Sequence, residues 1–197
     1  MIVGEKVSIG PGDALIVVDV QNDFLPGGSL AVPDGNAVIA ALNDYIARFV
    51  DKGLPVFATR DWHPTDHCSF KAQGGIWPPH CVAGTKGAEF APDLTLPSTV
   101  VVVSKAAEQG KDAYSGFEGT DLGERLRALG VTRVFVGGLA TDYCVLQTVK
   151  DALREQLQVV VLHDAIRAVN VHPADGANAE QEMAQLGAQP VVYRDLV

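Results

Sequence analysis

The stretch that decides the fold reads A-L-I-V-V-D-V and runs from Ala14 to Val20. Its apolar, largely β-branched residues follow one another almost without a break, which is typical of a strand buried on both faces of a sheet. The carboxylate of Asp19 stands at the end of this strand, where an uncompensated charge would be costly. The stretch therefore predicts a strand in the middle of a parallel sheet, and Asp19 requires a cationic partner.

Further strands alternate with amphipathic helices along the rest of the chain. The pattern predicts strands over Leu54–Thr59, Thr99–Ser104, Val131–Val136, Gln158–Leu162 and Pro190–Tyr193. It predicts helices over Ala37–Val50, Leu122–Leu129, Asp142–Gln156 and Ala177–Leu186. Strands separated by helices form βαβ units, so we expect an α/β fold. The predicted architecture is a three-layer α/β/α arrangement around a six-stranded, mostly parallel, Rossmann-like sheet.

Length and composition exclude several classes of protein. The 197 residues suit a single domain, and 47 % hydrophobic with 20 % charged residues exclude wholesale disorder. The net charge of −9 argues against nucleic-acid or anionic-membrane partners. Neither a membrane-spanning run nor a signal-peptide pattern at Met1–Lys6 is visible. Three cysteines do not make a disulfide framework, so we expect reduced thiols and a cytoplasmic location.

Polar residues stand where several predicted strands end. Asp19, Asp61 and Lys105 follow three of the strands, and the segment Gly138–Cys144 follows a fourth. Ligands of open parallel α/β sheets bind beyond the carboxyl ends of the strands. We therefore expect these four segments to converge on one edge of the sheet.

Cys144 lies near the start of a predicted helix, where the helix dipole and free backbone N–H groups favour a thiolate. The N–H groups of Ala140 and Cys144 could also hold an oxyanion. With Asp19 to accept the thiol proton and Lys105 to favour the thiolate, the three side chains suit nucleophilic catalysis. Each also has a simpler interpretation: Cys144 as a small core residue, Asp19 as a tether for the following turn, and Lys105 with its amine reaching solvent.

A metal site is predicted in the long connection between Asp61 and Pro97, whose first 21 residues hold three of the five histidines and both tryptophans. If the backbone stays extended, Asp61 and His63 point to the same side. Together with His80 they offer three N/O ligands, the pattern of a catalytic metal site with open positions.

Three alternatives for this connection remain open. His67 is a possible fourth ligand, a second-sphere partner of the metal ligands, or a hydrogen-bonded loop histidine. Cys68 and Cys81 with two histidines could form a structural zinc site, although their spacing is not the usual C-x₂₋₄-C pair. The histidines could also be solvated loop residues, which the neighbouring Trp62 and Trp77 argue against.

With these residues identified, the sequence resembles the nicotinamidase/pyrazinamidase group of the isochorismatase-like cysteine hydrolases over nearly its whole length. The matching segments are V-D-V-Q-N-D-F at Val18–Phe24, P-G-G-S-L-A-V at Pro26–Val32, D-W-H-P at Asp61–Pro64, W-P-P-H-C-V at Trp77–Val82, A-Y-S-G-F-E-G at Ala113–Gly119 and G-L-A-T-D-Y-C-V at Gly138–Val145. The first and last occur throughout the superfamily. The D-x-H motif with W-P-P-H-C, and A-Y-S-G-F-E-G, are specific to nicotinamidases.

The resemblance implies that residues 1–197 form one isochorismatase-like hydrolase domain, and it implies roles for particular residues. The catalytic triad would be Asp19, Lys105 and Cys144. The oxyanion would be held by Ala140 and Cys144, after a cis peptide bond between Leu139 and Ala140. One divalent metal ion, zinc before iron or manganese, would be bound by Asp61, His63 and His80. The pyridine pocket would be lined by Phe24, Trp77, Tyr114 and Leu139.

The implied activity is hydrolysis of the small molecule nicotinamide to nicotinate and ammonia through a thioester on Cys144, with pyrazinamide as a further substrate. This reaction belongs to NAD salvage. Two other classes remain open from the sequence. One is a metal-free hydrolase of the same superfamily, acting on a vinyl ether or an N-carbamoyl compound. The other is a non-catalytic metal-binding or redox module that uses Cys68, Cys81 and Cys144.

Overall fold

A sheet of six parallel strands forms the middle layer of the protein in the computed structural model, which describes residues 6–197. The strands are β1 (Asp13–Val18), β2 (Val56–Asp61), β3 (Val101–Lys105), β4 (Arg133–Leu139), β5 (Gln158–Arg167) and β6 (Gln189–Val191). They lie in the order β3-β2-β1-β4-β5-β6, so β1 occupies the interior of the sheet. The strand Asp13–Val18 is buried along its whole length, as its sequence predicts.

Helices cover both faces of this sheet. They are α1 (Ala37–Asp51), α2 (Leu122–Ala128), α3 (Leu146–Arg154) and α4 (Asp175–Gln185). Alternate side chains of β1 enter two different apolar clusters: Leu15 and Val17 pack with residues of α1, and Ile16 and Val18 pack with residues of the other three helices. The predicted three-layer α/β/α architecture is confirmed.

Several element boundaries differ from the prediction near the carboxyl ends of the strands. β1 stops at Val18 because Asp19 adopts a left-handed backbone, with φ of 48°. The helix expected over Asp142–Gln156 begins instead with a π-helical turn, Thr141–Val145. β5 continues past Leu162 to Arg167 after an irregularity in its register with β4. These departures gather at the edge where the functional residues were expected.

The connection between β2 and β3 is ordered by short local elements. It contains the 3-10 turns Lys71–Gln73 and Lys86–Ala88. Isolated bridges pair His63 with Val82, Phe70 with Trp77 and Gln21 with Phe90. The segment is thereby folded back against the sheet edge.

Within the described part of the chain, no helix combines the length and apolarity needed to cross a bilayer. The N-terminal stretch Met1–Lys6, in which the sequence shows no signal-peptide pattern, has its first five residues outside the described range.

Candidate active site and metal centre

Neighbouring strands deliver the predicted triad to one edge of the sheet. Lys105 is the last residue of β3 and pairs with Asp61, the last residue of β2. Asp19 directly follows β1, and Leu139 ends β4 just before the turn that carries Cys144. Since these four strands are adjacent, their carboxyl ends bring the side chains within contact distance of one another.

The Lys105 ammonium is the centre of this cluster. Its Nζ lies 2.9 Å from Asp19 Oδ2, 2.5 Å from Asp61 Oδ1 and 3.5 Å from Cys144 Sγ. It also donates a hydrogen bond to the carbonyl of Ala113 at 3.3 Å. Burial alone would lower the pKa of Lys105, but the two carboxylates raise it well above its usual value. Lys105 is only 1 % exposed, so its amine does not reach solvent.

Asp19 is held from two sides and fully buried. Its Oδ1 accepts a hydrogen bond from Thr59 Oγ1 at 2.7 Å, while its Oδ2 faces Lys105. Burial raises the pKa of Asp19, although the positive charge of Lys105 opposes this. A carboxylate with a raised pKa is a better proton acceptor than an ordinary one. Sequence reasoning missed Thr59, since nothing distinguishes it from other threonines in strands.

Cys144 lies in the π-helical turn and is 6 % exposed. Burial raises the pKa of its thiol well above the usual value, although the Lys105 charge lowers it. The neighbouring carboxylates of Asp19 and Asp61 raise this pKa further. The thiol needs a proton acceptor before it can act as a nucleophile, and a carboxylate oxygen of Asp19 lies within 4.8 Å of the Cys144 sulfur.

The backbone directly before the turn of Cys144 offers an N–H group to a ligand. The peptide bond between Leu139 and Ala140 is cis, as the resemblance implies. The carbonyl of Ala140 accepts hydrogen bonds from the N–H groups of Tyr143 and Val145, both at 3.1 Å. Within residues 6–197, the N–H group of Ala140 donates to no acceptor. It is available to the oxygen of a ligand placed over the Cys144 sulfur.

The three predicted metal ligands also come together. Asp61, His63 and His80 each offer one ligand atom, and all three atoms lie within 4.8 Å of one another. The Nε2 atoms of His63 and His80 are 3.6 and 3.9 Å from Asp61 Oδ2. All three residues are buried.

Hydrogen bonds at the far side of each ring fix which histidine nitrogen faces the cluster. His63 Nδ1 lies 3.2 Å from the carbonyl of Ala106, and His80 Nδ1 lies 2.9 Å from that of Pro78. Because a carbonyl only accepts, both Nδ1 atoms carry a proton, and in the neutral rings both Nε2 atoms present a lone pair. Among residues 6–197, His63 Nε2 is buried without a hydrogen-bond partner. Burial lowers the pKa of His80, which favours its neutral form. One carboxylate and two such imidazoles fit a divalent metal ion with open positions.

Asp61 joins the metal cluster to the triad. One of its oxygens contacts Lys105 Nζ, and the other faces His63 and His80. Burial would raise the pKa of Asp61, but the Lys105 ammonium and His63 hold it below its usual range. The sequence pattern assigns Asp61 to the metal site alone, because the spacing of residues along the chain does not show which side chains of β2 and β3 contact each other.

The other candidate ligands lie outside this cluster. Both ring nitrogens of His67 have protein partners, Ser69 Oγ at 2.8 Å and the carbonyl of Lys111 at 3.0 Å. Cys81 is buried in an apolar cluster and Cys68 is half-buried. Among residues 6–197, neither cysteine belongs to a group of possible metal ligands, so the structural zinc site has no support here.

A cavity connects the two centres. Its walls include Cys144 together with Asp61 and His80, so a ligand in the cavity meets the thiol and the metal cluster at once. The remaining lining residues are Phe24, Leu30, Val32, Trp77, Tyr114, Ala140, Tyr143 and Val169. A larger groove between α4 and β6 contains none of the predicted site residues.

Three of the four predicted pocket residues line this cavity. Trp77 Nε1 donates a hydrogen bond to Tyr114 Oη at 2.9 Å, and the Tyr143 ring packs edge-on against Trp77 at 5.1 Å. Leu139 is fully buried in the core and does not line the cavity. Sequence reasoning missed Leu30, Val32 and Val169, because ordinary apolar residues from separate segments carry no signal of a shared wall.

Comparisons with known proteins agree with this geometry. The family model described as the isochorismatase domain matches residues 13–193. The nicotinamidase/pyrazinamidase of Mycobacterium tuberculosis is 46 % identical over 88 % of this chain and 96 % of its own. The pyrazinamidase of Pyrococcus horikoshii in complex with zinc is 50 % identical, with a TM-score of 0.90 over 93 % of this chain and 100 % of its own.

A second solved structure has a bound pyridine compound. It is PnC1 from L. infantum in complex with nicotinate, 36 % identical, with a TM-score of 0.89 over 98 % of both chains. With matches of this extent to the family model, to a curated relative and to solved structures, the chain belongs to the isochorismatase family, in its nicotinamidase/pyrazinamidase group.

Proposed function

We propose that this chain hydrolyses nicotinamide to nicotinate and ammonia, and also accepts pyrazinamide, through a thioester on Cys144. One observation carries the proposal: a single cavity is lined by the Cys144 thiol and by two members of the metal cluster. The names of the relatives support the substrate, and the nicotinate complex of a relative supports a pyridine ligand in this fold. The activity would place the protein in NAD salvage.

Asp61, His63 and His80 would hold one divalent ion, and we propose zinc before iron or manganese. Zinc is supported by the Pyrococcus horikoshii complex and by the carboxylate-imidazole donor set. When bound, the ion supplies a Lewis-acidic position for the ring nitrogen of the substrate.

Aromatic residues would orient the substrate ring. Phe24 and Trp77 both line the cavity, and we propose that they enclose the two faces of the pyridine ring. Tyr114, fixed by its hydrogen bond from Trp77, would close one side. The carboxamide would then lie over Cys144, next to the N–H groups of Ala140 and Cys144.

The reaction follows from the positions of the groups. Asp19 takes the proton from the Cys144 thiol, and the sulfur attacks the carboxamide carbon. The N–H groups of Ala140 and Cys144 stabilise the resulting oxyanion. Asp19 returns the proton to the departing ammonia, leaving a thioester on Cys144. Asp19 then accepts a proton from water as the water oxygen attacks the thioester. The C–S bond breaks, the acid leaves as nicotinate with its proton lost to solvent, and Asp19 returns its own proton to the Cys144 sulfur. Lys105 balances the charge on Asp19 throughout.

We further propose that residues 1–197 act as one isochorismatase-like domain, because one continuous sheet supplies the ends of the strands on which the site is built. The cytoplasmic location, and the expectation of a small-molecule partner without nucleic acid or membrane, stay predictions of the sequence.

The test is ammonia release from nicotinamide by the purified protein, with metal content determined on the same sample. We expect turnover that is lost on chelation and returns with a divalent ion. Turnover that survives complete removal of metal would contradict the metal-dependent proposal. A metal-loaded protein that leaves nicotinamide and pyrazinamide intact would contradict the proposed substrates.

A further inference from the structure

One segment touches both halves of the site. Residues 106–113, which we call the bridging segment, directly follow Lys105 in the chain. The carbonyl of Ala106, at one end, faces His63 Nδ1 at 3.2 Å. The carbonyl of Ala113, at the other end, accepts a hydrogen bond from Lys105 Nζ at 3.3 Å. The position of the bridging segment therefore affects a metal-site histidine and the triad lysine at the same time.

The middle of the bridging segment is tied to residues 66–69, which we call the metal loop. The N–H of Cys68 donates to the carbonyl of Gln109 at 2.8 Å, and Gln109 Nε2 donates to Asp66 Oδ2 at 2.7 Å. His67 Nε2 lies 3.0 Å from the carbonyl of Lys111. Of these contacts, only the one made by His67 comes from a fully buried side chain.

The hydrogen bonds of His67 indicate which tautomer of its neutral ring is present. The carbonyl of Lys111 only accepts, so Nε2 carries the proton. Nδ1 then has the lone pair, and it faces Ser69 Oγ at 2.8 Å and accepts from the Ser69 N–H at 3.3 Å. The neutral rings of His63 and His80 have the opposite tautomer, with the proton on Nδ1 and with Nε2 facing Asp61. Neither nitrogen of His67 offers a lone pair to a metal ion.

The ring of His67 also supports a metal ligand directly. Its centroid lies 4.2 Å from that of His63, with an angle of 32° between the planes. Phe70 packs edge-on against both rings, at 5.4 Å from His63 and 5.7 Å from His67. His63 is therefore held by its own hydrogen bond to the bridging segment and by the face of His67.

We propose that His67 is a positioning residue, which fastens the metal loop to the bridging segment and orients His63, and that it is not a metal ligand. The inference rests on the proposed function in that it concerns the same metal site. It deepens that proposal, because a fixed bridging segment would also keep Lys105 in place through the hydrogen bond from Lys105 Nζ to the Ala113 carbonyl. We call this attachment through His67 the latch.

Long-range ¹H–¹⁵N NMR of the protein labelled with ¹⁵N-histidine tests the tautomers without any measurement of activity. We expect His67 to be protonated at Nε2 both before and after zinc is added. His63 and His80 should be protonated at Nδ1, and their Nε2 signals should shift when zinc binds. A zinc-induced shift of either His67 nitrogen to the position of a metal-bound nitrogen would overturn the proposal.

The positioning role of His67 is tested by measuring the zinc affinity of variants in competition with a chelator. His67→Ala should weaken the apparent zinc affinity about 10-fold or more while keeping one ion per chain. His67→Gln, which keeps an N–H donor for the Lys111 carbonyl, should recover part of this loss. The matched control is His172→Ala, whose side chain is 83 % exposed and whose loss should change nothing. An unchanged zinc affinity of the His67→Ala variant would refute the positioning role of His67.

The two proposals fail separately. If the protein does not hydrolyse nicotinamide but His67 keeps its tautomer when zinc binds, the proposed function is refuted and the positioning role of His67 stands. If the protein hydrolyses nicotinamide and His67 binds zinc, only the positioning role is refuted. If His67→Ala does not fold, the NMR measurement on the unaltered protein still decides.

Discussion

Lys105 is the side chain on which the charge balance of the site depends. Its ammonium is in contact with the carboxylates of Asp19 and Asp61, and all three groups are buried. Three residues at the triad and the metal cluster adopt left-handed backbones, with φ between 46° and 51°. They are Asp19 itself, Cys81 after His80, and Ala106 after Lys105. Such conformations in non-glycine residues gather at functional sites, where the surrounding structure enforces them.

Replacing Lys105 by methionine should destabilise the fold as well as stop catalysis. Lys105→Met leaves Asp19 and Asp61 as buried carboxylates without a cation, and removing one partner of a buried pair costs about 3–5 kcal/mol. We expect a loss of this size in the free energy of unfolding, measured by urea denaturation. The control is Lys150→Met, since Lys150 pairs with Glu182 at a partly exposed position and should cost less than about 1 kcal/mol. Equal stability of the two variants would contradict this account of Lys105.

At the scale of elements, the order of strands and helices is predictable because hydrophobic periodicity is local. The apolar run Ala14–Val20 predicts a strand, and the amphipathic pattern of α1 predicts a helix, each from one continuous stretch of sequence. The ends of the elements are less predictable, since they depend on contacts between strands. The left-handed backbone of Asp19 and the π-helical turn Thr141–Val145 are two such ends that the hydrophobic pattern does not indicate.

Gly138 shows such a contact. Its φ is 130°, and a Cβ built on it would lie 2.0 Å from the carbonyl oxygen of Val18 in the adjacent strand. Gly138→Ala should therefore lower the free energy of unfolding by about 2 kcal/mol or more, because the clash involves backbone atoms that have little room to move.

The matched control for that substitution is Gly110→Ala. A Cβ at Gly110 would meet nothing within 4 Å, and the backbone there is not left-handed. Its stability should stay within about 0.5 kcal/mol of the unaltered protein. Thermal or urea unfolding of both variants checks the difference, and a Gly138→Ala protein as stable as Gly110→Ala would show that the close approach to Val18 does not constrain this position.

At the scale of the whole molecule, the meeting of the strand ends follows from fold class, whereas the partners of each side chain do not. A parallel sheet places Asp19, Asp61 and Lys105 at one edge whatever its details. That Asp61 serves Lys105 with one oxygen and the histidines with the other depends on rotamers across β2 and β3. The cavity walls from Leu30 and Val169 likewise arise only after folding.

Because the metal cluster is built by tertiary structure, metal binding should stabilise the entire fold. A ligand that binds only the folded state contributes about 2.7 kcal/mol at a free concentration of 100 times its Kd. We expect the Tm to rise with the logarithm of zinc concentration, measured by calorimetry. His80→Ala should reduce this response and His172→Ala should keep it. A Tm independent of zinc in the unaltered protein would contradict the metal site.

The central claim is that Cys144 attacks an amide that is held next to the metal cluster. The most direct test is the turnover of nicotinamide by the Cys144→Ala variant, with metal content measured on the same sample. We predict a loss of kcat of at least about 10³-fold with the bound metal unchanged, since a nucleophile has been removed from an otherwise intact site. Substantial turnover by metal-loaded Cys144→Ala protein would contradict the thioester mechanism and the claim built on it.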